Sequence, residues 1–196
     1  MENTFDILRD LLKYDRSIRR FNNRNRIEKE TLEKLVELTR YCSSGRNLQP
    51  LRYRIVCDSE ECKTLFPCLK WAGYLPDWDG PVESERPAAY LVQCIDTELA
   101  DDCLCDDGLH LQAMTLGATA LGLGACIVKA FNVIETQNIL DIPKRYKPLY
   151  IVALGEPVEK VVLEDTDGST DADIRYYRTS DQIHHVPKRP LKELLI

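Results

Sequence analysis

The sequence predicts an α+β or mixed α/β layer fold, a central sheet with helices packed against it. Segments of helical periodicity alternate irregularly with short β-rich runs, not in a strict strand–helix repeat. The 196 residues, 44% hydrophobic and 30% charged, can bury a sizeable core and read as globular. No repeat or low-complexity tract divides them, so residues 1–196 are expected to form one domain. From about residue 158 the chain is too polar for a core of its own and must lie on something else.

Each element has its own signal. Phe5, Leu8, Leu11 and Leu12 recur at three-and-four spacing, which predicts a helix from a cap at Asn3 or Thr4 to about Tyr14. Leu32, Leu35, Val36 and Leu38 predict a second helix, from about Glu28 to Tyr41. Arg52 to Cys57 alternates and is β-rich, hence a strand. A short helix is expected from Glu60 to Leu69. The loop from Trp71 to Pro81 holds both tryptophans of the chain, and aromatics on a long loop cover a ligand, a partner or the loop's own core. Ala88 to Ile95 is apolar enough for a central strand. Asp106 or Asp107 can cap a helix to about Leu121 that is apolar nearly all round, through Leu109, Leu111, Ala113, Met114, Leu116 and Ala118. Such a helix is expected to be fully buried. Gly122-Leu123-Gly124 ends it. A strand at Ala125–Val128, a helix at Val133–Leu140, a turn at Pro143 and a strand at Leu149–Leu154 follow. A polar loop at Asp165–Asp171 and an edge strand at Ile174–Arg178 complete the reading.

The net charge of −6 and a pI near 5.2 argue against nucleic-acid binding, which leaves a broad basic footprint. No stretch approaches the roughly 20 apolar residues of a membrane span. Met1 to Asp6 lacks the layout of a secretion signal, so a cytoplasmic protein without membrane partners is expected. The eight cysteines fall at irregular spacings, and Cys103-Leu104-Cys105 has no second pair at zinc spacing, so free thiols and no metal site are expected.

Two basic clusters stand out in this acidic chain, Arg16-Ser17-Ile18-Arg19-Arg20-Phe21 and His184-His185-Val186-Pro187-Lys188-Arg189. If the fold brings them together they form an anion pocket, most naturally for phosphate, since arginine forks match its oxygens bidentately. The alternative is two solvated charged faces. Ser44-Gly45-Arg46-Asn47-Leu48-Gln49-Pro50 sets carboxamides where they could pair with the edges of a heterocycle, although alone it is also a turn signal. His184 and His185, adjacent on an extended segment, point to opposite faces and cannot easily share a metal. His110 reads as a hydrogen-bonded core or interface residue.

Taken in order, Arg16-Ser17-Ile18-Arg19-Arg20-Phe21, Ser44 to Pro50, Gly122-Leu123-Gly124-Ala125-Cys126, Gly155-Glu156-Pro157 and Lys188-Arg189-Pro190-Leu191 resemble the FMN-dependent nitroreductase family, in its short bacterial branch. The resemblance implies a sandwich with a mixed, mainly antiparallel sheet flanked by helices. It also implies a homodimer with FMN at the subunit interface and an exchanged C-terminal arm, about residues 158–196. Arg16, Ser17 and Arg19 match positions that hold the flavin phosphate and the pyrimidine-side edge, and Lys188 and Arg189 match the closing phosphate contact. Ser44, Asn47 and Gln49 match the loop lining the ribityl chain and ring, and the backbone of Val128, Lys129 and Ala130 the strand end near the ring. Trp71, Tyr74 and Trp78 are candidates for an acceptor pocket. Asp15 departs from the pattern, where many relatives are basic, and is expected to point away or pair with an arginine. The implied activity is hydride transfer from NADH or NADPH through FMN to a small acceptor such as a nitroaromatic or quinone, with no side-chain catalyst. A flavin-binding sensor or store, or a flavin-free interaction protein on the same scaffold, are the other readings.

Overall fold

A computed structural model of the protein describes residues 3–167, 169–170 and 174–196. Met1 and Glu2, and Gly168 and Asp171 of the expected polar loop, lie outside them.

The sheet is built on one long strand. β1 (Phe21–Asn22), β2 (Leu51–Val56), β3 (Ala89–Asp96), β4 (Gly124–Val128) and β5 (Tyr146–Pro157) form a five-stranded sheet in which every pairing is antiparallel. β5 pairs along one edge with β3 and along the other with β4, and its last residues, Glu156 and Pro157, pair with β1. It is longer at both ends than the expected Leu149–Leu154, because three partners keep its backbone groups satisfied. All eight residues of β3 are buried, as its apolar run required.

Side chains alternate between the two faces. On one face Tyr90, Val92, Cys126, Val128, Ile151 and Ala153 pack against α3 (Ser59–Leu65) and the segment after α5 (Val133–Ile139). On the other, Leu91, Ala125, Val152 and Leu154 pack against α2 (Lys29–Leu38) and α4 (Asp106–Ala120). α3 is capped by Asp58, whose carboxylate accepts from the Glu60 and Glu61 N–H groups, and α5 by Asn132. α2 and α3 end earlier than expected, since 39–41 and 66–68 tighten into 3₁₀ turns. Segment 17–22 lies tight on the sheet because a Cβ at Gly155 would come within 2.8 Å of the Phe21 ring.

Two expectations about the helices need correction. α4 is not fully buried: Leu109 is 43% and Leu121 54% exposed, so one side of the helix meets no other element. α1 (Thr4–Tyr14) has the expected cap at Asn3 and the expected apolar stripe, yet none of its residues is buried and Phe5 is 66% exposed.

The C-terminal part forms a second, three-stranded sheet in which β8 (His184–Lys188) lies parallel to β6 (Val161–Asp165) and antiparallel to β7 (Tyr177–Arg178). The expected edge strand at 174–178 shrinks to β7, and β1, β6 and β8 were not read from the sequence. β8 pairs with β6 inside this C-terminal part, and His184 is buried beside Arg19. All eight cysteines are free, and no helix among the described residues is long and apolar enough to cross a membrane.

Candidate functional site

Beyond α1 the chain turns at Asp15, whose carboxylate accepts hydrogen bonds from the Gln112 amide and, at 2.7 Å, the Thr115 hydroxyl of α4. Asp15 therefore points into the helix layer and away from its basic neighbours. Ser17 then bridges Ala125, and the Ile18 N–H donates to the Ala125 carbonyl at 2.9 Å, which lays the first basic cluster beside β4.

Arg16 donates through Nη2 to the Leu12 carbonyl at 2.7 Å, but its Nε is buried without a partner. At the end of β8, Lys188 stands close enough to Arg16 to feel its charge: burial first, and then Arg16, lowers the lysine's pKa. The two basic clusters meet within one chain where Arg19 Nη1 lies 3.2 Å from His184 Nε2. Further along β4, the N–H groups of Lys129 and Ala130 donate no hydrogen bond among the described residues. From Ala125 to Lys129 this makes roughly 13 Å of strand edge with cations at one end and open backbone donors at the other. Lys129 itself rests over the Tyr150 ring, its Nζ 4.0 Å from the centroid.

Arg19 takes a different position from the one the resemblance implies. It is 8% exposed, and Nη1 donates to the Ser17 carbonyl and lies 3.2 Å from His184 Nε2. Its guanidinium sits over the Tyr176 ring and its backbone N–H donates to Glu159 at 2.8 Å. The C-terminal sheet covers it, so it stands behind the strip and not on it. His184 accepts from Arg19, which leaves its Nδ1 as the N–H and without a partner. Burial, followed by the charges of Arg19, Arg178 and His185, holds the His184 pKa down to about 4.

A pH dependence follows, and its sign is fixed. Between an ordinary value of 6.5 and about 4 the unfolded chain takes up a proton at His184 that the folded chain refuses. Stability is therefore fullest above pH 6.5 and is lost as the pH falls towards 4. His184→Gln cannot titrate and should lose less than the wild type between pH 7.5 and pH 5 in urea melts. Equal losses in both proteins would place the dependence elsewhere.

Ser44, Asn47 and Gln49 sit at the other end of α4. The Ser44 hydroxyl donates to Asp106 at 2.6 Å and accepts from the Gln49 N–H at 2.9 Å, while the Gly45 N–H donates to Asp106 at 2.9 Å. Asp106 is thus an anchor for the loop. The sequence offered it only as a helix cap, and neither a charge pattern nor a spacing marked this role. The anchored loop holds Arg46, Asn47 and Gln49 at positive φ (53°, 56° and 49°), a conformation costly for residues with side chains and found where loops are held for function. Asp106 and Thr115 are nine residues apart, about 13.5 Å along the helix axis. One chain does not bring this loop to the Arg16 strip.

The loop candidates also divide. Trp71 is a core residue stacked on Phe66, whereas Tyr74 packs on Tyr176 and Trp78 lies under the Arg178 guanidinium. The loop covers the chain's own C-terminal sheet. Arg189 pairs with Glu193 at 3.1 Å on an exposed turn. His185 faces away from His184, paired with Glu164 and stacked on Tyr177, and no group of residues among those described could hold a metal. His110 is buried and lies 2.7 Å from the Tyr53 hydroxyl. Glu159, Tyr176 and Arg178, which surround Arg19, went unread because their partners lie far away in sequence.

A model of the nitroreductase family matches residues 12–102 and 103–156. The chain is 28% identical over 175 residues to an NADPH-dependent oxidoreductase of Staphylococcus haemolyticus, covering 79% of this chain and 66% of that one, just under two thirds of its length. Its fold is similar to that of an FMN-dependent nitroreductase from Clostridium difficile, with TM-score 0.64, 23% identity, and 83% and 92% of the two chains covered. It is also similar to the NADPH:FMN oxidoreductase of Vibrio harveyi solved with NAD+, with TM-score 0.60, 26% identity, and 76% and 68% covered.

Proposed function

The chain belongs to the nitroreductase family, and on that premise we propose that it is an FMN-dependent oxidoreductase passing hydride from NADH or NADPH to a small acceptor such as a nitroaromatic or quinone. One observation carries the reading: the buried Arg16 Nε is unpartnered among the described residues, and Lys188 lies within reach of the Arg16 charge. Two like charges within reach of each other, one with an orphaned donor, are unfavourable until an anion joins them, and a flavin phosphate is that anion. Arg16, Ser17 and Lys188 would hold the phosphate, and the N–H groups of Lys129 and Ala130 would orient the ring. Bound there, the flavin supplies the two-electron redox chemistry. Arg19, rigid behind the strip, adds fixed positive charge to the site's field, and Arg189 is a secondary contact.

A homodimer completes the site. The bare apolar faces of α1 and α4 need a cover, and a second copy would also deliver the Ser44–Gln49 loop that one chain holds too far from the strip. Light scattering should give about 45 kDa, twice the 22.5 kDa chain, and Leu8→Glu/Leu12→Glu should shift it to monomer with loss of flavin. Eight free thiols suit the cytoplasm. The activity test is direct. Purified protein should be yellow and bleach anaerobically with NADH or NADPH. Bleaching by dithionite alone would indicate a sensor or store, and a colourless protein that refuses FMN would sink the reading.

A further inference from the structure

We propose that a second anion site, for a free oxyanion such as inorganic phosphate or sulfate, lies between Arg26, the start of α3 and the 83–87 segment. A cavity of about 50 Å³ opens there, lined among others by Asn23, Arg26, Ser59, Lys63, Arg86 and Tyr90. That volume holds one small ion and no nucleoside. Three of the lining residues are cations and one, Glu83, is an anion. The other carboxylates nearby are occupied, Glu85 by Arg20 at 2.7 Å and Glu60 by Lys63 at 2.9 Å. Neither Arg26 nor Arg86 forms an ion pair among the described residues.

The independent sign of a ligand is a pair of stranded donors. Tyr90 is fully buried and its hydroxyl has no hydrogen-bond partner among the described residues, and the Arg86 Nε is likewise buried and unpartnered there. Buried polar groups are nearly always satisfied, so two orphans lining one cationic cavity call for an acceptor. An oxyanion supplies acceptors to both at once. Burial raises the Tyr90 pKa, so the hydroxyl remains a donor at any physiological pH. The Arg86 guanidinium is held against the Phe66 ring, its Cζ 4.1 Å from the centroid, and is therefore already ordered for binding.

This site is separate from the flavin strip. Tyr90 pairs with Ala153 of β5, which pairs in turn with Cys126 of β4, so two strand spacings, roughly 9.6 Å, lie between them across the sheet. The test is calorimetric titration of the full-length, FMN-saturated protein with inorganic phosphate at constant ionic strength, chloride being the control. One saturable phosphate per chain is expected. Arg26→Ala/Lys63→Ala should weaken it at least tenfold, Tyr90→Phe should weaken it without lowering the melting temperature, and Glu83→Gln should tighten it. None of these variants should change FMN occupancy. Absence of a saturable site, or heats that these substitutions leave unaltered, would overturn the proposal. If the protein proves not to take FMN, the same titration on Arg16→Ala decides it. Phosphate binding that survives Arg16→Ala but not Arg26→Ala/Lys63→Ala supports the second site, and the reverse pattern removes it.

Discussion

Glu159→Ala is expected to lower the unfolding free energy of the flavin-free protein by about 3–5 kcal/mol, the cost of breaking a buried ion pair from one side. The Glu159 side chain is fully buried and that of Arg178 nearly so, and the two meet at 2.6 Å. The second carboxylate oxygen accepts from the Arg19 N–H at 2.8 Å. Removing the carboxylate strands the Arg178 guanidinium between Trp78 and the sheet, with its Nε already unpartnered, and frees the backbone of Arg19. Glu159→Gln keeps the shape and an acceptor, so it should cost less. Urea unfolding at one protein concentration checks both, because dimerisation would otherwise shift the midpoint by mass action. Limited proteolysis adds a second readout, with cleavage between 160 and 185 expected to accelerate as the C-terminal sheet detaches. A loss below about 1 kcal/mol for the alanine variant would mean that water reaches Arg178 and the pair is a surface one.

Glu159 also shows what a sequence conceals. Its charge lies next to β5 in a polar stretch, and nothing local separates it from the solvated glutamates around it. Its partners stand 19 and 140 residues away. The elements were legible where the signal is local: the stripe of α1, the alternation of β2 and the apolar run of β3 all stand in the structure. β1 and β6 were not, since so short a run becomes a strand only when a partner lies alongside, β5 for the one and β8 for the other. α4 shows the opposite case. Its composition asks for burial on every side, and a single chain covers only part of it. Periodicity cannot distinguish a face that the core covers from one left for the proposed second copy. In the candidate site, the motif order marks segments, but it could not say which guanidinium faces out. Arg19 lies three residues after Arg16, yet it is locked under Tyr176 and His184.

Arg16→Ala should weaken FMN by about 3 kcal/mol, on the order of a hundredfold in Kd, as expected for loss of a charged, two-pronged phosphate contact. The sequence points to Arg189 equally, but the structure ranks them. Arg189 is held by Glu193 on an exposed turn, whereas Arg16 has a buried donor unused among the described residues and Lys188 within reach of its charge. Arg189→Ala should therefore cost tenfold or less. Arg16→Lys keeps the charge but loses the fork, and should fall between the two. The apo fold is expected to survive, because the side chain's only hydrogen bond among the described residues is to the Leu12 carbonyl at the exposed end of α1. Circular dichroism on flavin-free protein tests that, and quenching of FMN fluorescence gives the affinities. Neutralising Lys188 in the same background should then cost less than it does in the wild type, since each cation's value depends on the anion that both contact. Should Arg16→Ala hold FMN as tightly as the unaltered chain, the flavin phosphate does not sit between residues 16 and 188, and the strip along β4 serves something else.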